Sequence, residues 1–280
     1  MIKIGQVNRL TVIKLMEFGV FLDGGVNYGN ILLPKRYVPK NTSTDDELDV
    51  FIYFDSEDQI IATTEKPFAE VGQFAKLNCV ETTKVGAFLN WGLPKDLLVP
   101  FSEQRMKMQE GRDYLVFLYL DKASGRIVAT TKYNKFIDKT PACYKKGEKV
   151  SLTVVERTDL GYKCAINNAH WGMLFSSELF GKLFIGKQLT GYIKQIRQDG
   201  KIDLSLQKLG VEKIDSLSEK ILSLLDRKEG FLPVGDKSSP EEIFTLFRTS
   251  KATFKKTIGA LYKSKKIRIE PEGLYLIKRK

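Results

Sequence analysis

The side chains able to do covalent chemistry are few and scattered. His170 is the single histidine, and Cys79, Cys143 and Cys164 lie far apart with no C-x-x-C spacing. A nucleophile–base site would have to use His170, and no nucleophile motif surrounds it. Structural zinc needs closely spaced ligand pairs, so the thiols are expected to be buried and reduced, with no metal and no cofactor. The loops G-x-x-x-x-G-K-[ST] and G-x-G-x-x-G after a strand are absent. These residues argue against an enzyme. What recurs instead is non-covalent: rings that can stack on a flat partner, and cations that can hold an anion.

The rings come in a repeated setting. Phe18-Gly19-Val20-Phe21-Leu22 corresponds to Val85-Gly86-Ala87-Phe88-Leu89, and Leu160-Gly161-Tyr162 opens a weaker third copy. About ten residues on stand Ile31-Leu32-Leu33-Pro34, Leu97-Leu98-Val99-Pro100 and Gly172-Met173-Leu174-Phe175. Each copy closes on an alternating run that follows a polar turn: 59–64, 126–131 and 201–206. Alternation on both sides of such a turn predicts a β-hairpin. A unit of about 65–75 residues is too long for a solenoid repeat and suits a small barrel of five strands.

Beyond Gln207 the period becomes helical. Ser216-Leu217-Ser218-Glu219 reads as a cap before Ile221, Leu222, Leu224 and Leu225, and Gly230 as a stop. Ser239-Pro240-Glu241-Glu242 supplies an N-cap, proline at the first position and acids in the first turn. Ser250 caps a third helix, 251–262, whose Phe254, Ile258, Leu261 and Tyr262 are placed on one face. Two short strands, 266–269 and 274–277, turn at Pro271-Glu272-Gly273. Three helices and a terminal hairpin predict a winged helix. The expected architecture is multidomain and mainly β: three tandem barrels of the oligonucleotide-binding type over 1–65, 66–140 and 141–211, then an α+β winged helix over 212–280.

At these motifs the units resemble S1 RNA-binding domains. The whole order resembles the conserved virulence factor B family, carried by Trp91 through Pro100, by Asp199-Gly200-Lys201-Ile202-Asp203-Leu204-Ser205-Leu206-Gln207, and by Gly230 through Lys263. The resemblance implies a bacterial, cytoplasmic RNA-binding protein that acts on gene expression after transcription, without enzymatic activity. S1 domains similar to these use two aromatics on adjacent strands, often a third-strand histidine, and a base on the closing hairpin. By that implication Phe18 and Phe21 are the stacking pair of the first unit, where Gln59 replaces the base and one ring could face the core. Phe88 and Arg126 serve the second, with Trp91 either a contact or a plug over the barrel end. In the third, Tyr162, Lys163, Trp171 and Lys201 are the substitutes, His170 is expected in a loop, and packing against neighbouring units is the alternative to binding. In the winged helix Lys251, Lys255 and Lys256, extended by Lys263, Lys265, Lys266 and Arg268, would meet phosphates.

Charge fits a polyanionic partner. The net charge is +11, divided as −4, +4, +5 and +6 over the four units, and cations that neutralise phosphates release counterions. No stretch approaches the roughly 18 apolar residues of a membrane span, and MIKIGQVNRL has no signal-peptide core. Single-stranded RNA is the expected partner. A DNA-binding transcription regulator led by the winged helix, and a docking scaffold for ribosome or transcription machinery, are the competing readings, with a nuclease behind them.

Overall fold

The computed structural model describes residues 2–176, 179, 182–206 and 211–277, with only the backbone for 211–216. Gln207, at the end of the third closing motif, lies outside the described residues.

Three units of five strands stand in series. The first contains β1 (Val7–Met16), β2 (Gly19–Asp23), a short helix α1 (Gly25–Tyr28), β3 (Asn30–Pro34), β4 (Glu47–Phe54) and β5 (Ile60–Thr63). The second contains β6 (Phe74–Thr82), β7 (Gly86–Asn90), β8 (Leu97–Pro100), β9 (Asp113–Leu120) and β10 (Ile127–Thr130). The third contains β11 (Lys149–Thr158), β12 (Gly161–Ile166), β13 (His170–Phe175), β14 (Gln188–Ile196) and β15 (Ile202–Ser205). The first and third close as barrels in the orders β1-β2-β3-β5-β4 and β11-β12-β13-β15-β14. The second keeps the same neighbours, but β8 and β10 are not bonded into a closed ladder.

The repeat extends to irregularities. The register of the first strand shifts at Val12/Lys14, Cys79/Glu81 and Val154/Glu156, the same point in each unit. A bulge there bends the strand and lets a short sheet curl. The motif glycine also has one physical reason in all three copies. A Cβ on Gly19, Gly86 or Gly161 would lie 2.3, 2.3 or 2.2 Å from the carbonyl oxygen of Leu33, Val99 or Leu174. The neighbouring strand passes too close for any side chain.

The barrels pack on one another. β4 breaks alternation: Val50, Phe51, Ile52 and Tyr53 are all buried. Val50 and Ile52 fill the first barrel, while Phe51 and Tyr53 join Trp91, Leu93 and Leu97 of the second. Strands covered on both faces read as continuous apolar runs. A second seam joins Phe74, Phe117, Tyr133 and Ile137 to Val155 and Ala165 of the third barrel, with Trp171 against it. The third barrel thus packs on the second through this seam.

The C-terminal unit contains α2 (Val211–Arg227), β16 (Phe231–Leu232), α3 (Pro240–Phe247), α4 (Lys251–Lys263), β17 (Ile267–Glu270) and β18 (Gly273–Leu276), its strands ordered β16-β18-β17. Ser239 and Glu242 form a reciprocal capping box with Pro240 behind them, and Ser250 accepts from the Thr253 N–H. Gly230, at φ +92°, gives its N–H to the Leu225 carbonyl and ends α2.

Four expectations need correction. Helix α2 starts at Val211, upstream of the cap read at Ser216; the Ser216 side chain lies outside the described residues. Tyr262 is exposed, and α4 buries Phe254, Thr257, Ile258 and Leu261 instead. Cys143 is exposed, while Cys79 and Cys164 are buried, with burial pushing the Cys164 thiol up to about 12. His170 lies in β13 and is buried. Its Nε2 is 2.8 Å from the Thr140 carbonyl and must donate there, and its Nδ1 lies 2.8 Å from the Tyr144 hydroxyl. A ring held at both nitrogens is not free to stack on a base.

Candidate nucleic-acid interface

Strand alternation decides which side chains each barrel turns outward. In β2, Val20 and Leu22 are buried and Phe21 between them is partly exposed. In β7, Ala87 and Leu89 flank Phe88 in the same way. In β12 the outward position holds Lys163, and Tyr162 falls on the buried side. The residue across the next strand is Leu32, Leu98 or Met173. Each barrel thus presents a ring or a long cation beside an apolar neighbour, on the surface opposite its core.

On the first barrel Phe18 is 53% exposed, and its ring stands edge-on to Phe21 with centroids 6.1 Å apart. The structure brings this pair together and turns both rings away from the core. Lys14 pairs with Phe21 across the ladder, a cation that the motif comparison passes over.

On the second barrel Phe88, Trp91 and Arg126 line one groove of about 310 Å³, together with Tyr53 and Asp58 of the first barrel. Trp91 is only 3% exposed. Its ring lies edge-on to Phe51 at 5.7 Å, and its Nε1 donates to the Lys95 carbonyl at 2.6 Å. It is a plug, set between two barrels. Arg126 is exposed, and its Nη2 pairs with Asp58 Oδ2. Lys95 Nζ binds Asp58 Oδ1 at 3.0 Å and also donates to the Asp55 carbonyl. The Lys95 hydrogen bond, with the charges of Lys95 and Arg126, holds the Asp58 carboxyl below the usual carboxylate range. Lys95 and Asp58 are the residues that the motif reading missed. They lie 37 positions apart, and nothing local in the chain pairs them.

On the third barrel Lys163, Trp171 and Lys201 meet around a pocket of about 390 Å³. Lys163 Nζ sits 4.1 Å from the centre of the Trp171 ring, a cation–π geometry. Trp171 also leans on Phe74 and Tyr133 at the seam with the second barrel. Lys201 pairs with Asp199 of its own turn at 2.9 Å. Tyr162 is separated from this group: it is buried in the barrel, where its hydroxyl accepts from the Leu183 N–H at 3.2 Å. A core position leaves it no surface on which to stack.

In the winged helix Lys255, Lys256, Lys263, Lys265, Lys266 and Arg268 are exposed and Lys251 is partly so. Three of them border two different grooves. Lys255 lines a groove with Lys237 and Glu270, whereas Lys265 and Lys266 line another against Leu222 and Asp226 of α2. The Arg268 guanidinium lies over Tyr275 at 5.7 Å.

Among the described residues no group of three or more His, Cys, Asp or Glu side chains could hold a metal ion, and no helix is long and apolar enough to cross a membrane.

The CvfB-like winged helix domain family matches residues 219–276, and the S1 domain family matches 4–65 and 71–132. Among similar proteins, YitL of Bacillus subtilis is 28% identical over 281 residues, covering 94% of this chain and 90% of its own. Conserved virulence factor B of Staphylococcus aureus N315 is 27% identical, covering 99% and 95%. A crystal structure of a multidomain protein with nucleic acid binding domains from Streptococcus pneumoniae aligns over 98% of both chains at 24% identity, with a TM-score of 0.40.

Proposed function

The chain belongs to the conserved virulence factor B family of tandem S1-domain proteins ending in a CvfB-like winged helix, and from that premise we propose that it binds single-stranded RNA and regulates gene expression after transcription, in the cytoplasm of a bacterium. The observation that carries the reading is the outward phenylalanine of the repeat. Phe21 and Phe88 occupy the same strand position in two barrels, on the face away from the core. An outward strand position is ordinarily polar; two partly exposed rings there supply stacking platforms worth roughly 1–3 kcal/mol per base. Phe18 widens the first platform, Arg126 and Lys95 offer cations beside the second, and Lys163, Trp171 and Lys201 provide a third. The winged helix adds affinity through linkage, its lysines meeting phosphate without base readout. The units divide at residues 65, 140 and 211.

The test is fluorescence anisotropy of the full chain with labelled single-stranded RNA, matched single-stranded DNA and duplex DNA, over a salt series. Preference for the RNA with a negative log–log salt slope is expected. Preference for duplex DNA would transfer the function to the winged helix, and binding to none of them would favour a protein-docking scaffold.

A further inference from the structure

We infer that the seam between the first and second barrels is a composite nucleotide subsite whose phosphate position is held, in the free chain, by the carboxylate of Asp58. The reading of its ligand as a nucleotide rests on the proposed function; the anion site itself does not. The two cations belong to the second barrel and the carboxylate to the first. Each oxygen of Asp58 takes a different cation: Oδ2 the Arg126 guanidinium and Oδ1 the Lys95 ammonium at 3.0 Å. Two oxygens fixed by a guanidinium and an ammonium is also the arrangement that a phosphodiester offers. Beside this clamp the groove runs onto Phe88, Leu98 and Val85, and Val85 is 60% exposed. A base can lie on that floor with its phosphate at the clamp.

The site is built to exchange one anion for another. Asp58 sits at a hairpin tip in the left-handed region, φ +60°, which Asp and Asn tolerate better than most residues. Its side chain is 42% exposed and that of Arg126 is 56% exposed, so their attraction is screened and weak. Lys95 has a second partner besides the Asp58 carboxylate, the backbone of the same turn, whereas among the described residues the Arg126 guanidinium pairs with Asp58 alone. Lys95 is anchored on the Asp55 carbonyl, and its own carbonyl is fixed by Trp91. The seam below is apolar, with Phe51 and Tyr53 against Trp91. Asp58 can therefore leave the clamp without parting the barrels. The consequence is that the acidic first barrel competes with the ligand of the second.

Inorganic pyrophosphate tests the clamp, and a labelled twelve-residue oligouridylate tests the ligand. The full chain is compared with Asp58→Asn, which keeps shape and turn preference but removes the charge. Pyrophosphate is followed by the Arg126 Nε–H signal in NMR spectra. Half-saturation in Asp58→Asn is expected at a roughly three- to tenfold lower concentration, two weak exposed pairs having been removed. Lys95→Met in the native background should weaken pyrophosphate binding, and Arg126→Ala added to Asp58→Asn should abolish the gain in oligouridylate affinity. Identical pyrophosphate titrations in the native chain and Asp58→Asn would overturn the subsite. A gain with pyrophosphate, together with no oligouridylate binding by either protein, would uphold the clamp and bring down the RNA reading alone.

Discussion

Trp91 and Phe51 meet edge to face across the boundary of two barrels, ring centroids 5.7 Å apart, and both are almost fully buried. The first barrel thereby completes the core of the second. Trp91→Ala removes this contact and the hydrogen bond that fixes the Lys95 carbonyl. A loss of about 3–5 kcal/mol is expected, read in urea unfolding of the full chain. Near-native stability would show that the barrels do not share a core.

Phe18 should behave in the opposite way. Its ring is half exposed and fills no core. Phe18→Ala is expected to change stability by about 0.5 kcal/mol or less, while lowering single-stranded RNA affinity by the roughly 1–3 kcal/mol of one stacked base. Anisotropy and denaturation on the same preparation separate the two effects. Unchanged affinity would remove Phe18 from the interface.

The titration of Asp58 follows from its partners. Lys95 and Arg126 lower its pKa, so the clamp contact is present above the ordinary aspartate value of about 3.9 and is lost as pH falls through the lowered value. A carbon-detected NMR titration of the Asp58 carboxyl should show its midpoint below the usual range. In Lys95→Met that midpoint should move upward. An unmoved midpoint would mean that Lys95 does not hold the carboxylate in solution.

Much of this architecture was legible because the cues were local and repeated. The glycine of Phe18-Gly19, Val85-Gly86 and Leu160-Gly161 marks the same close strand approach each time, and Ser239-Pro240 starts α3 where its capping chemistry says. The contacts between units were less legible. Phe51 and Tyr53 belong to no repeated motif, and only the four-residue buried run of β4 against the second barrel shows their role. Arg126 reads as a free hairpin cation because its partner lies 68 positions away. Tyr162 reads as a surface aromatic because the third copy lacks the phenylalanine that sets the register; one position decides whether a ring faces core or solvent. His170 reads as a loop residue because its two hydrogen-bond partners, at 140 and 144, are not strand neighbours.

The motif glycine gives the last prediction. In β7 a Cβ on Gly86 would stand 2.3 Å from the Val99 carbonyl oxygen and 3.0 Å from the Pro100 Cα. Neither atom is the end of a flexible side chain, so β7 and β8 must separate to admit a methyl group. That strand pair carries Phe88 and Leu98 side by side, the floor of the groove beneath Arg126. Gly86→Ala should therefore cost about 1–3 kcal/mol of stability and weaken RNA binding beyond what the unfolded fraction explains. The surface glycine Gly111 is the control: a Cβ there meets nothing within 4 Å, though its φ of +76° still disfavours alanine. Gly111→Ala should lose stability from backbone strain alone, with RNA affinity per folded molecule unchanged. Equal affinities per folded molecule in the two variants would show that the spacing of β7 and β8 does not shape the groove.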